Sequence, residues 1–108
     1  MDMITARKAN DRNRRIATRD EVFHRTTVRL PDGIAATADI VNISCTGFMA
    51  RTLLAIEPET HMTIGLPLFG ERAARVVWAL GGRIGAEFAD PIEPAYYSIL
   101  LAQMPRGD

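Results

Sequence analysis

Several features that mark particular protein classes are missing from this sequence of 108 residues. It has one cysteine, so an internal disulfide is excluded and a secreted, disulfide-stabilised fold is not expected. No apolar run approaches the ~18 residues of a membrane-spanning helix. The N-terminus also lacks the order of basic, apolar and small residues that makes up a secretory signal. We therefore expect one stand-alone domain in the cytoplasm, without membrane insertion.

Residues that form catalytic or metal centres are also scarce. His24, His61 and Cys45 do not have the spacing of metal ligands, so no zinc site is expected. Ser44 does not lie in the G-x-S-x-G sequence of a nucleophile elbow, and no P-loop sequence for a nucleoside triphosphate is present. Cys45 fits a small buried thiol better than a nucleophile. We expect a protein that is not an enzyme and that has no metal or bound cofactor.

Opposite charges are segregated along the chain, although the formal net charge is zero. Residues 1–29 contain eight of the 13 basic and four of the 13 acidic side chains, so they carry four net positive charges. The rest of the chain carries four net negative charges. A basic end of this kind indicates an anionic partner, such as a phosphorylated small molecule, a nucleic acid or an acidic protein. The alternative is a solvated tail without a partner.

Short segments of alternating polarity, separated by turn residues, predict six β-strands. Residues 1–20 show no such period and predict a flexible basic segment, here called the arm. In the fifth predicted strand, Val76, Trp78 and Leu80 are expected to share one face. Six short strands without an intervening helix predict a mainly β fold, an antiparallel barrel or sandwich. The predicted strands cover residues 22–30, 34–43, 48–54, 61–68, 71–80 and 83–88.

A helical pattern follows the sixth strand. Asp90, Pro91 and Glu93 have the order of a helix start, with an N-cap acid and a proline in the first turn. The pattern predicts one C-terminal α-helix over about residues 91–104, with residues 105–108 as a tail. The apolar positions expected to lie on the barrel are Ile92, Tyr96, Ile99 and Leu100.

Two short polar motifs remain. Arg15-x-x-x-Arg19 lies in the arm, and Asn42-x-Ser44-x-x-Gly47 falls between the second and third predicted strands. In order and separation they resemble the paired signature of the PilZ domain, R-x-x-x-R and [D/N]-x-S-x-x-G.

The resemblance extends beyond the motifs. Residues 74–78, the Gly-Gly turn after them and residues 84–88 are similar to the closing strands of the family, so the resemblance covers about residues 14–103. It implies a six-stranded antiparallel PilZ-type β-barrel in residues 21–104, preceded by the flexible arm.

The resemblance also implies a function. PilZ domains bind the bacterial second messenger cyclic di-GMP and pass the signal to a partner, so we expect a receptor whose arm changes conformation to regulate an effector protein. Arginine forks suit the O6 and N7 atoms of guanine and the phosphodiester anions. Arg14 adds a third cation, so up to two stacked ligand molecules per chain are expected. The expected ligand-binding residues are Arg14, Arg15, Arg19, Asn42, Ser44 and Gly47.

Four points stay open at this level. Arg25-x-x-x-Arg29 also fits the arginine motif, but it falls inside the first predicted strand, so Arg15 and Arg19 are preferred. Asn42 replaces the more frequent aspartate and lacks a charged acceptor for guanine. The polar motif could instead form an Asx or Ser turn that caps the strand junction. The domain could also be a ligand-free adaptor whose arm contacts acidic protein or nucleic acid. Nucleic acid is the less expected partner, because its binding would not need the polar motif.

Overall fold

The computed structural model describes residues 18–105 as one antiparallel β-barrel with a helix at one end. The strands close in the order β1-β2-β3-β6-β5-β4, and β4 pairs back onto β1. The prediction of a mainly β fold, with six antiparallel strands and one C-terminal helix, is confirmed. The elements are β1 (Asp20–Arg29), β2 (Ala35–Ile43), β3 (Gly47–Thr52), β4 (His61–Leu66), β5 (Gly70–Leu80), β6 (Arg83–Phe88) and α1 (Pro94–Ala102).

The arm is described only at its last residues. β1 begins at Asp20, two positions before the predicted strand start at Val22, and Thr18 and Arg19 precede it. Residues 1–17 and 106–108 lie outside the described residues. The predictions for Arg14 and Arg15, and for the flexibility of the arm, therefore stay predictions.

Alternate side chains of every strand fill the interior, as the period of two along a β-strand requires. The rings of Phe48 and Phe88 meet inside the barrel with their centroids 5.5 Å apart. Full burial of each large apolar side chain contributes about 1.5–3 kcal/mol, so this single core stabilises the barrel. The largest fully buried side chains are Phe48, Ile40, Ile43, Ile64, Ile84, Leu100, Val28 and Val76.

Three β-bulges decide which side chains face outward, because one extra residue reverses the alternation of a strand. In β5 the bulge follows Val76, which is fully buried, whereas Trp78 and Leu80 are 37% and 80% exposed. The prediction that these three side chains share one face is therefore wrong, because an alternating pattern does not reveal the extra residue. The register shifts lie between Glu21 and His24, between Ile40 and Asn42, and between Val76 and Trp78.

Helix α1 begins at Pro94, three residues after the predicted start. A proline ring has no N–H and clashes with the carbonyl group four residues earlier, so a helix can begin at Pro94 but cannot run through it from Pro91. Glu93 occupies the N-cap position with extended backbone angles and makes no side-chain cap bond. Within residues 18–105 no helix is both long and apolar enough to cross a membrane.

The positions predicted to pack on the barrel are confirmed at Ile92 and Leu100, which are buried, and wrong at Tyr96 and Ile99. Tyr97 and Leu100 are buried, whereas Tyr96 and Ile99 are 55% and 50% exposed. The burial of Tyr97 in place of Tyr96 follows from contacts with the barrel, which the pattern of a short apolar helix does not specify.

Tyr97 attaches α1 to the barrel end at which β1 begins and β2 ends. Its hydroxyl donates to the carboxylate of Asp20 at 2.6 Å and lies 3.0 Å from the carbonyl oxygen of Ile43. Burial and then the Asp20 carboxylate raise the pKa of Tyr97, so the hydroxyl remains a donor at neutral pH. A backbone hydrogen bond provides a second attachment, because the N–H of Phe23 donates to the carbonyl oxygen of Pro105 at 2.8 Å. The C-terminal segment therefore covers this end of the barrel.

We expect Tyr97→Phe to lower the free energy of unfolding by about 1.5–3 kcal/mol, the usual cost of losing a hydrogen bond to a charged group. Tyr96→Phe is the matched control, because within the described residues its hydroxyl makes no hydrogen bond and its ring is 55% exposed. We expect the control to change stability by less than about 0.5 kcal/mol. Urea unfolding followed by tryptophan fluorescence measures both free energies. Equal losses of stability in the two variants would contradict the role of the Tyr97 hydroxyl in attaching α1 to the barrel.

Candidate functional site

Arg19 and Asn42 bring the two polar motifs into direct contact. Arg19 lies immediately before β1, and its Nη1 donates to the side-chain Oδ1 of Asn42 at 2.8 Å. On its other side, the Nδ2 of Asn42 lies 3.8 Å from the sulfur of Met49 in β3. The amide is therefore held between the arm and the outer surface of the barrel.

The bulge in β2 is the reason that Asn42 faces outward. Ile40 is fully buried, and the residue two positions further along a regular strand would also point into the core. The register shift between Ile40 and Asn42 turns Asn42 to the outer face, opposite Met49. The bulge in β2 thus places the Asn42 amide on the outer face, where a ligand can reach it.

A cavity of about 530 Å³ lies on the outer face beside this contact. Its lining combines a carboxylate, two guanidinium groups, the amide, an aromatic ring and a thioether. These groups can accept from a nucleobase edge, pair with anions and contact a planar ring. Apart from Asn42, none of these residues was predicted from the sequence, because they come together only through the pairing of four strands. The residues concerned are Glu21, Phe23, Asn42, Met49, Arg51 and Arg83.

Ser44 belongs to the connection between β2 and β3, and it is buried. Its backbone N–H donates to the carbonyl oxygen of Gly47 at 2.8 Å. Its Oγ accepts from the N–H of Thr46 at 3.2 Å and lies 3.2 Å from the Thr46 hydroxyl. This is the geometry of the Ser turn that the sequence analysis left open. Direct contact between Ser44 and a ligand stays a prediction.

Strand packing accounts for Gly47. It pairs with Glu87 of β6, and a Cβ at this position would overlap the carbonyl oxygen of Ala86. Glycine therefore permits β3 and β6 to approach closely. The third member of the polar motif has a structural role here, and its predicted contact with a ligand stays a prediction.

Cys45 lies in the same connection and is buried. Its carbonyl group accepts a bond from the N–H of Ile92 at 2.8 Å, which ties the connection to the segment before α1. Burial, and after it the charge of Asp20, raises the pKa of the thiol, so it is protonated at neutral pH and a weak nucleophile. No group of three or more His, Cys, Asp or Glu side chains among residues 18–105 is placed to hold a metal ion.

Arg25 and Arg29, the alternative arginine motif, form ion pairs on the outer face of the barrel. Arg25 donates to both carboxylate oxygens of Asp39, at 2.8 and 3.2 Å. Hydrogen bonding from Arg25 is the main cause that lowers the pKa of Asp39. Arg29 pairs with Glu71 at 2.7 Å. Both arginines are therefore engaged in surface ion pairs, which favours Arg15-x-x-x-Arg19 as the arginine motif.

No model of a known protein family matches the chain, and no curated protein matches it at a significant level. The resemblance to the PilZ domain therefore depends on the two motifs, their separation and the similarity of residues 74–78 and 84–88 to the closing strands of the family. The contact between Arg19 and Asn42 adds a spatial argument, because it joins one residue of each motif.

We expect Gly47→Ala to lower the free energy of unfolding by about 1–3 kcal/mol, because the added Cβ meets the rigid backbone of β6. Gly85→Ala is the matched variant in the same strand pair, where the new methyl group meets the indole of Trp78 on the outer surface. That side chain can rotate away, so we expect a smaller loss and a shift in the fluorescence of the single tryptophan. Chemical denaturation and emission spectra measure both effects. A larger loss for Gly85→Ala would contradict the packing argument.

Proposed function

We propose that the protein is a receptor for cyclic di-GMP that changes the conformation of its arm on binding and thereby regulates an effector protein. The observation that carries the proposal is the 2.8 Å bond between Arg19 and Asn42, which joins the two motifs beside the cavity. Cyclic di-GMP has two guanine bases and two phosphodiester anions. Its site must therefore offer guanidinium groups, acceptors for the guanine edge and an apolar surface.

Arg19 is the residue that can respond to the ligand. One of its donors is used by the neutral amide of Asn42. A phosphodiester attracts a guanidinium group by its opposite charge and can accept two parallel N–H bonds from it, whereas the Asn42 amide is neutral and accepts one. A phosphodiester in the cavity would therefore draw Arg19 away from Asn42. The next residue, Asp20, is bonded to Tyr97 and stays with the barrel. Binding would thus reorient the arm while β1 keeps its place.

Glu21 can supply the charged acceptor that Asn42 lacks. It is the cross-strand partner of Asn42, so both side chains lie on the same face, and both line the cavity. A carboxylate can accept from the adjacent N1–H and N2–H groups of guanine, whereas adenine has an acceptor at N1. Glu21 therefore favours guanine over adenine.

Phe23 and Met49 provide the apolar part of the site. Phe23 is 39% exposed although it lies in a strand, and both side chains line the cavity. Stacking of a base on an aromatic ring contributes about 1–3 kcal/mol. A guanine bound at Glu21 can therefore be held on its face as well as its edge.

Cyclic di-GMP should bind with a dissociation constant in the micromolar range or lower, which needs only about 8 kcal/mol. Isothermal titration calorimetry measures the affinity and also tests for one or two molecules per chain. Cyclic di-AMP is the control ligand, and we expect it to bind at least ~10-fold more weakly, a difference of about 1.4 kcal/mol. Absence of binding near millimolar cyclic di-GMP would reject the proposed function and favour the ligand-free adaptor.

Arg19→Ala and Arg15→Ala should each weaken cyclic di-GMP binding about 10-fold to 100-fold, the equivalent of losing one charged hydrogen bond. Arg25→Ala is the control, because this guanidinium already pairs with Asp39 on the barrel surface. We expect less than about a 3-fold change for it, since exposed ion pairs are weak. Should Arg25→Ala prove the damaging change while Arg19→Ala is harmless, the arginine motif has been misassigned.

A further inference from the structure

Arg51 and Arg83 stand directly opposite each other on β3 and β6. Both side chains are exposed on the outer face and line the cavity that contains Asn42. Like charges placed opposite each other on neighbouring strands destabilise a sheet. The barrel therefore carries a repulsive pair within its candidate site.

The carboxylate next to this pair is already used. Asp39 is the cross-strand partner of Arg51, but Arg25 holds both of its oxygens, at 2.8 and 3.2 Å. On the other side, β5 places the apolar Leu80 opposite Arg83. The side chains that lie side by side across these strands thus include three guanidinium groups and one carboxylate. They belong to Arg25, Asp39, Arg51 and Arg83.

Other arginines of the barrel have hydrogen-bonded partners, which sets Arg51 and Arg83 apart. Arg72 donates to the backbone carbonyl oxygen of Asp90 at 3.1 Å. Arg75 bonds Glu59 at 2.9 Å and Glu87 at 3.0 Å, and Arg25 and Arg29 have carboxylate partners. Within residues 18–105 no ion pair joins Arg51 or Arg83 to an acid. The acid that lines the cavity, Glu21, lies opposite Asn42 in a different row.

We propose that Arg51 and Arg83 form an anion site that binds a phosphate group of the ligand. Their strands lie about 4.8 Å apart, and two guanidinium forks on neighbouring strands can converge on one phosphate. The pair lies about 7 Å along β3 from the row of Asn42 and Met49. A cyclic dinucleotide held by Arg19 at one phosphate thus meets a second cationic position at the other. The identity of the ligand rests on the proposed function, whereas the anion site rests on the register and charges.

Inorganic pyrophosphate tests the anion site without cyclic di-GMP. The unfolding temperature of the full chain is measured with pyrophosphate and with chloride at equal ionic strength, for the unmodified protein, Arg51→Gln and Arg83→Gln. We expect pyrophosphate to raise the unfolding temperature of the unmodified protein, and each variant to lose at least about half of that increase. In low salt without pyrophosphate, Arg83→Gln should unfold at a higher temperature, because the repulsion is removed. Arg51→Gln should gain less, because it also loses the attraction between Arg51 and the Asp39 carboxylate.

Arg75→Gln is the matched control, since it removes one guanidinium group from the same outer surface but breaks bonds to Glu59 and Glu87. It should lower the unfolding temperature and keep the full response to pyrophosphate. The response to pyrophosphate decides the outcome. The proposal is overturned if both cavity variants keep the full response, or if Arg75→Gln loses as much of it as they do.

Titration with cyclic di-GMP separates this inference from the proposed function. If the unmodified protein binds and both cavity variants bind at least ~10-fold more weakly, the pair holds a phosphate of the ligand. If the variants bind like the unmodified protein, the anion site does not serve the ligand and the inference fails, while the proposed function stands. If the unmodified protein does not bind cyclic di-GMP, the proposed function fails, and the pyrophosphate response alone decides the anion site.

Discussion

Closure of the sheet is the constraint on which the rest of this structure depends. A barrel has no free edge, so every strand is paired on both sides and each side chain faces either the core or the outer surface. Aliphatic and aromatic side chains fill the interior, which leaves no room there for a polar ligand site. The bulges in β2 and β5 locally change which side chains face the core, and they turn Asn42 and Trp78 outward. The candidate site is therefore built on the outer face, from side chains that core packing does not require.

The three residues of the polar motif at the junction of β2 and β3 have different structural roles. Ser44 closes the turn with its hydroxyl, and Gly47 allows β3 to lie close to β6. Asn42 is the member whose side chain reaches Arg19. A substitution at Ser44 or Gly47 would displace Asn42 by distorting the strand junction. All three positions can thus affect the position of the Asn42 amide, although only this amide lines the cavity.

Two neighbouring residues connect the arm to the barrel in different ways. Arg19 is held by an exposed hydrogen bond to a neutral amide, which an anionic ligand can replace. Asp20 is held by the partly buried hydroxyl of Tyr97, which also approaches the backbone of β2 and belongs to α1. The first bond is exchangeable and the second is part of the packed structure. The conformational change that we propose for ligand binding would therefore be confined to the segment before β1, while α1 stays attached to the barrel.

The sequence by itself determined the mainly β class, the six strands and the C-terminal helix, because alternation, turn residues and helical spacing are local properties. Through the PilZ resemblance it also identified Arg19 and Asn42 as candidate site residues. Their contact, the bulges and the outward direction of Trp78 were decided only by the tertiary structure. The pairing of Arg51 with Arg83 was decided in the same way. The physical reason is that register joins strands far apart in the chain, and a single inserted residue changes the face of every side chain that follows it.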